Sequence, residues 1–143
     1  MSRHPIRSAV EADAGAISDL LGQLGYPSSR DQVIGRLSAH SDDSSVVLVA
    51  VSGEAVIGFV SFHRIPLIHE AGSLGRITAM CIASGYRRSG AGRALLAELE
   101  NRARASGCDR IEVTSGERRA EDAHRFYQSC GYVSDSRRFQ KRL

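Results

Sequence analysis

No run of about 18 apolar residues occurs in this 143-residue chain, so nothing in it has the length of a membrane-spanning helix. The opening Met1-Ser2-Arg3-His4-Pro5 lacks the apolar core of a secretory signal, and the cytoplasm is the expected location. Cysteine is scarce and odd in number. Cys81, Cys108 and Cys130 contain no Cys-x-x-Cys pair, which argues against a disulfide framework and a zinc ribbon and leaves each as a small buried hydrophobe. No metal site is expected. Lys141 is the only lysine, so arginine carries nearly all the positive charge. Repeats, linkers and low-complexity segments are also missing, and one domain over residues 1–143 is expected, large enough to bury roughly 68–70% of its unfolded surface.

Charge is distributed unevenly. Residues 1–72 hold five arginines against eight acidic groups, a net −3, whereas residues 73–143 hold thirteen arginines and Lys141 against eight acidic groups, a net +6. The basic half contains the stretch Gly85-Tyr86-Arg87-Arg88-Ser89-Gly90-Ala91-Gly92-Arg93, between a strand-like run, Leu74 to Ala83, and a helix-like run, Arg93 to Ser106. A strand that passes through glycines into a helix gathers unpaired backbone N–H groups at the positive end of the helix dipole, which is an anion site before any side chain is counted. Gly90 and Gly92 let the main chain approach a bulky ligand, and Arg87, Arg88 and Arg93 add charge suited to phosphate oxygens. Alone, the stretch is equally well a turn that starts a surface helix. It is neither a P-loop, because Arg93 and Ala94 follow Gly92, nor a dinucleotide fingerprint, because Leu95 occupies the third glycine position.

Along the chain, Ile6 to Val10 reads as a short strand, and Ile17, Leu20, Leu21 and Leu24 mark a helix from Asp13 to Leu24 that Gly25 stops. Ser29 and Gln32 form a capping box for a second helix burying Val33, Ile34 and Leu37. Val46 to Val51 and Ala55 to His63 are strands joined by a tight hairpin, Arg64 to Ser73 is a loop, and Leu74 to Ile82 returns antiparallel. Leu95, Leu96, Leu99 and Ala103 face the core on the next helix, Arg110 to Ser115 is a strand parallel to the one containing Met80, and Glu121 to Cys130 is the last helix. Tyr132 to Lys141 is expected to close the sheet as a strand or hairpin. The fold class is therefore α/β, layered α+β: a mixed, mostly antiparallel sheet of six to seven strands, a parallel βαβ unit in its middle, and helices on both faces.

Arg87, Gly90 and Gly92 resemble the Arg/Gln-x-x-Gly-x-Gly/Ala signature of the GNAT superfamily of acyl-CoA-dependent N-acyltransferases. Ala123-His124-Arg125-Phe126-Tyr127 followed by Gly131-Tyr132 is similar to that superfamily's last helix and following strand, in the matching order and separation. The resemblance implies an N-acetyltransferase that passes acetyl from acetyl-CoA directly to a primary amine of a small molecule or peptide. It implies that Met80, Cys81 and Ile82 line the pantetheine arm, with the Ile82 N–H on the acetyl carbonyl, and that the pyrophosphate meets the amides of Arg88, Ser89, Gly90, Ala91, Gly92 and Arg93. It gives Tyr127 the role of general acid toward the leaving sulfur. Members often pair as homodimers.

Read from the pattern alone, Tyr127 lies on a face with Ala123, Phe126 and Cys130, which suits a core tyrosine as well as a catalyst. The resemblance makes Tyr26, in the bend Gly25-Tyr26-Pro27-Ser28, a candidate acceptor contact, against the reading of a tyrosine packed over the helix junction, and Glu70, in the loop before the fourth strand, is a further candidate contact. The general base stays open: Arg76 and Thr78 stand where the family often has an acidic residue, and Glu70, Glu112, His63 or a water chain are the alternatives. A non-catalytic acyl-CoA-binding sensor is the alternative from another class. Nucleic acid is not an expected partner, because Phe126 and Tyr127 fall on a buried face instead of among exposed arginines.

Overall fold

A computed structural model describes residues 4–114 and 120–143. The chain forms two units, Met1–Glu112 and Val113–Leu143. The first unit is organised on a five-stranded sheet in the order β1 (Ile6–Ser8), β2 (Ser45–Ser52), β3 (Ala55–Pro66), β4 (Ser73–Ile82) and β5 (Cys108–Val113). Strands β1 to β4 pair antiparallel with their neighbours, and β5 runs parallel to β4 at the end of the sheet.

Helices α1 (Ala14–Leu24) and α2 (Arg30–Ser38) cover one face, where Ala14, Ile17, Leu20 and Val33 pack with Val47, Val49, Phe59 and Cys81. Helix α3 (Ala91–Ala105) packs across the other face and buries Leu95, Leu96 and Leu99. Gly58 permits this close layering, since a Cβ there would stand 2.5 Å from Ile82 Cδ1 and 3.5 Å from Leu95 Cδ1. No helix among the described residues is long and apolar enough to cross a membrane.

Local chemistry sets the element ends. The Gly25 amide bonds to Gly22 O and the Tyr26 amide to Leu21 O, closing α1 with Gly25 at φ +100°, a conformation that glycine adopts without a Cβ penalty. Helix α2 starts on the capping box expected from sequence: Gln32 N donates to Ser29 Oγ at 3.1 Å and Ser29 N to Gln32 Oε1 at 2.9 Å. Strands β2 and β3 meet through Gly53-Glu54 with Gly53 at φ +60°, the positive value that a type II′ hairpin puts on its first central residue. Asp13, the expected first residue of α1, instead fixes the chain's start: it is buried, accepts from Arg7 Nη1 and Nη2 at 2.7 and 2.9 Å, and accepts from Val10 N at 2.8 Å. The Arg7 hydrogen bonds hold its carboxyl below the usual carboxylate range.

Three expectations are corrected. Tyr132 to Lys141 forms no strand, so the described sheet has five strands instead of six to seven. The reason is visible in the side chains: Val133 and Phe139 are 81% and 90% exposed, which leaves that segment no apolar face to bury on a sheet. Without a strand outside β5, the parallel pair lies at the end of the described sheet, not in its middle. Finally, β3 continues through Arg64 to Pro66, where Pro66 pairs with Ser73, which shortens the expected loop to residues 67–72.

The second unit contains α4 (Ala120–Ser129). Its half-buried stripe is Ala123, Phe126, Tyr127 and Cys130, flanked by exposed His124, Arg125 and Gln128. The helix ends as α1 does, with Gly131 at φ +93°, Gly131 N on Gln128 O and Tyr132 N on Tyr127 O.

Candidate active site

The expected anion site lies where β4 leaves the sheet. A 3₁₀ turn at Ser84–Tyr86 leads through Arg87 and Arg88 to Gly90, which caps α3 at φ +92°. Ala94 N returns to Gly90 O at 3.0 Å as the first helical bond, so the amides at the start of the helix precede any intrahelical acceptor. Arg87, Arg88 and Arg93 are exposed around them, and a Cβ on Gly90 would meet nothing within 4 Å. Arg88 is at φ +64°, the only non-glycine residue with positive φ among the described residues. That conformation costs roughly 1–2 kcal/mol for an L-residue. The turn is held from both sides, by Gln23 Oε1 accepting from Ser84 N at 3.1 Å and by the buried His4, whose Nε2 lies 3.2 Å from Ser89 O.

Backbone direction along β4 bears on Met80, Cys81 and Ile82. Ala83 N donates to Ile57 O of β3 at 2.8 Å. Amides alternate sides along a strand, so the N–H groups of Ile82 and Met80 point the other way, toward the side on which β5 lies. β5 has six residues and starts beside Ser73, which donates to Gly107 O, whereas β4 has ten; the last residues of β4 therefore run past the end of β5.

Sequence reasoning missed a polar chain on the face that carries α1 and α2. Across β3 and β4, Ser61 lies opposite Ala79 and Phe62 opposite Ile77, leaving Thr78 as an extra residue in a bulge. The exposed Thr78 hydroxyl lies 2.6 Å from Ser61 Oγ and 3.2 Å from His63 Nε2, and His63 Nδ1 lies 2.8 Å from Ser45 Oγ. The His40 ring sits against His63 with centroids 4.9 Å apart. Burial, reinforced by the nearby His40, pushes the His63 imidazole below its usual value, with Asp42 opposing.

The remaining site residues are placed as follows. Tyr26 is 68% exposed at the α1–α2 corner and is not packed into it. Glu70 forms an ion pair with Arg110. Glu112 pairs with Arg76 at 3.2 Å. Tyr127 belongs to the second unit, its ring edge-on to Phe126 at 5.3 Å and tilted against Tyr132 at 5.8 Å. No cluster of metal-ligating side chains occurs among the described residues. A cavity of about 450 Å³, lined in part by Ser8, His40, Ser45, Arg64 and Arg102, opens at the opposite end of the strands from the glycine turn, and we assign no acetyl-donor contact to it.

A mixed sheet whose last antiparallel strand feeds a glycine-capped, arginine-flanked helix start is the architecture of an acyl-CoA-dependent acyltransferase. Residues 16–132 match the model of the acetyltransferase (GNAT) family, and the chain belongs to that family. It is an acetyl-CoA-dependent N-acetyltransferase. Its sequence is 30% identical over 142 residues to an aminoalkylphosphonate N-acetyltransferase of Salmonella typhimurium strain LT2, covering 99% of this chain and 90% of the relative. It is 29% identical over 141 residues to an aminoglycoside N(6')-acetyltransferase type 1 of Stenotrophomonas maltophilia, covering 92% and 88%. A GNAT family acetyltransferase structure from Staphylococcus aureus superposes with a TM-score of 0.83 at 25% identity, covering 99% of this chain and 100% of the other.

Proposed function

We propose that residues 1–143 act as one catalytic domain that transfers acetyl directly from acetyl-CoA to the primary amine of a small molecule. In this reading the amides from Arg88 to Arg93, with the Arg87, Arg88 and Arg93 side chains, hold the pyrophosphate at the start of α3. Met80, Cys81 and Ile82 then line the pantetheine arm as an added strand would, and the Ile82 N–H polarises the acetyl carbonyl. Tyr127 donates its phenolic proton to the departing thiolate.

The observation that carries the reading is the direction of the β4 amides. The Ala83 N–H is committed to β3, which turns the Ile82 N–H to the opposite side, beyond the end of β5. Gly90 in the left-handed region and the strained Arg88 beside it support the anion site, since backbone strain collects where a ligand must be approached closely. The half-buried position of Tyr127, between the rings of Phe126 and Tyr132, supports a phenol held in a fixed place on α4.

A small amine is the acceptor class that the two named relatives have in common, one an aminoalkylphosphonate and the other an aminoglycoside enzyme. Tyr26, exposed at the α1–α2 corner, is available to border such an acceptor. Glu70 is the weaker contact, because Arg110 already offsets its charge. Calorimetric titration with acetyl-CoA and CoA, for the wild type and Gly90→Glu, tests the cofactor site, and an amine panel of aminoalkylphosphonates, aminoglycosides and short peptides tests the acceptor. Unchanged binding in Gly90→Glu, or acetylation restricted to peptides, would overturn the corresponding part.

A further inference from the structure

We propose that Thr78 and His63 form the proton path by which the acceptor amine is deprotonated, a role that rests on the acetyltransferase reading above. An alkylammonium must lose a proton before its lone pair can attack, and a carboxylate on the early part of β4 would serve directly. Here that region presents Arg76, already paired with Glu112, and Thr78. The bulge turns the Thr78 hydroxyl onto the α1/α2 face, two residues before Met80, and places it in hydrogen-bond reach of both Ser61 and His63.

The hydroxyls and the imidazole can be polarised in one direction. Ser61 O–H donates to Thr78 Oγ1, Thr78 O–H donates to His63 Nε2, and His63 Nδ1–H donates to Ser45 Oγ. In this arrangement the neutral imidazole carries its proton on Nδ1 and offers Nε2 as the acceptor. As the ammonium proton passes to Thr78 Oγ1, the threonine's own proton passes to His63 Nε2, giving an imidazolium and a neutral amine. The amine lone pair then forms the C–N bond while the C–S bond breaks, and the thiolate takes its proton from the general acid. Of the second ammonium proton, released as the amide forms, and the imidazolium proton, one returns by way of water to the general acid and the other leaves to water, so that each turnover releases one proton net.

The outer end of the chain has that water within reach, since Ser45 and His40 line the 450 Å³ cavity that opens to solvent. The titratable and charged groups facing His63 are His40, Asp42 and its cross-strand partner Arg76. Burial, and then His40, lower the His63 pKa and so favour the neutral, proton-accepting imidazole, with Asp42 opposing them.

Two measurements test the path. The first is ¹⁵N NMR of the His63 ring in the ligand-free protein at pH 7, which should show a neutral imidazole protonated on Nδ1; a ring protonated on Nε2 overturns the proposal. The second is the pH profile of kcat and kcat/KM for wild type, Thr78→Val, Thr78→Ser and His63→Gln with an amine that the wild type acetylates. Thr78→Val and His63→Gln should lower kcat about 10- to 100-fold at pH 7, with KM for acetyl-CoA unchanged and the deficit shrinking at high pH as hydroxide replaces the path. Thr78→Ser, which keeps the hydroxyl, should stay within about threefold of wild type. Full rates and an unchanged acidic limb in both Thr78→Val and His63→Gln overturn the relay alone. Acetyl-CoA binding with no transfer to any amine by the wild type overturns the functional reading and the relay with it.

Discussion

Replacing Gly90 with alanine separates what the glycine turn does for folding from what it does for the ligand. Gly90 caps α3 at φ +92°, ψ −1°, and an added Cβ meets nothing within 4 Å, so the folding cost is conformational and not steric. An L-residue in the left-handed region costs about 1–2 kcal/mol, and the smaller entropy of the unfolded alanine chain returns about 0.5 kcal/mol. The net loss is about 0.5–1.5 kcal/mol. With an unfolding entropy of roughly 300 cal/mol/K for 143 residues, thermal unfolding should move down by about 2–5 °C. Gly35→Ala is the control: Gly35 is exposed in the middle of α2 with open space around it, and alanine there should raise stability by about 0.5–1 kcal/mol. Calorimetric titration with acetyl-CoA should show unaltered affinity in Gly35→Ala and, if the proposed pyrophosphate contact holds, at least about tenfold weaker binding in Gly90→Ala, because a methyl group is added at the turn where the phosphates would approach the main chain. A Gly90→Ala protein as stable as Gly35→Ala would refute the conformational argument. Unchanged affinity would refute the phosphate contact.

Tyr127→Phe should lower kcat about 100-fold while acetyl-CoA affinity stays near wild type, and a loss of affinity with turnover intact would remove Tyr127 from the chemistry. Leu95→Ala, at a fully buried side chain between α3 and the sheet, should cost about 2–5 kcal/mol in urea unfolding, and a loss below 1 kcal/mol would mean that this face repacks freely. Asp13→Asn should cost about 1–2 kcal/mol at pH 7, discounted because the Arg7 side chain is 47% exposed. The Asp13 pKa is depressed in the folded state by the Arg7 hydrogen bonds, so its contribution is present above the unfolded carboxylate value and disappears as pH falls through the folded one. The stability difference between wild type and Asp13→Asn should therefore vanish in acid, and a difference that persisted there would assign the effect to packing.

How far the sequence could be read followed the range of each interaction. The Ser29–Gln32 capping box and the Gly25 stop were legible because each is closed by atoms within about five residues. The stripe Ala123, Phe126, Tyr127 and Cys130 was legible because helical periodicity persists over its length. The expected closing strand is not formed by residues 132–141, where Val133 and Phe139 stay exposed, and without it the parallel pair lies at the end of the described sheet and not in its middle. The polar chain was hidden for a different reason. A regular ladder continuing from Ser61 opposite Ala79 would set Thr78 opposite Phe62, on the α3 side and away from His63. One bulged residue reverses that assignment and joins Ser45, Ser61, His63 and Thr78, drawn from three strands, into a single hydrogen-bonded path. Positions 76 and 78 carry no acid, and the sequence already offered His63 among the alternative bases; what it could not show is the bulge that brings Thr78 within 3.2 Å of the His63 imidazole on the neighbouring β3.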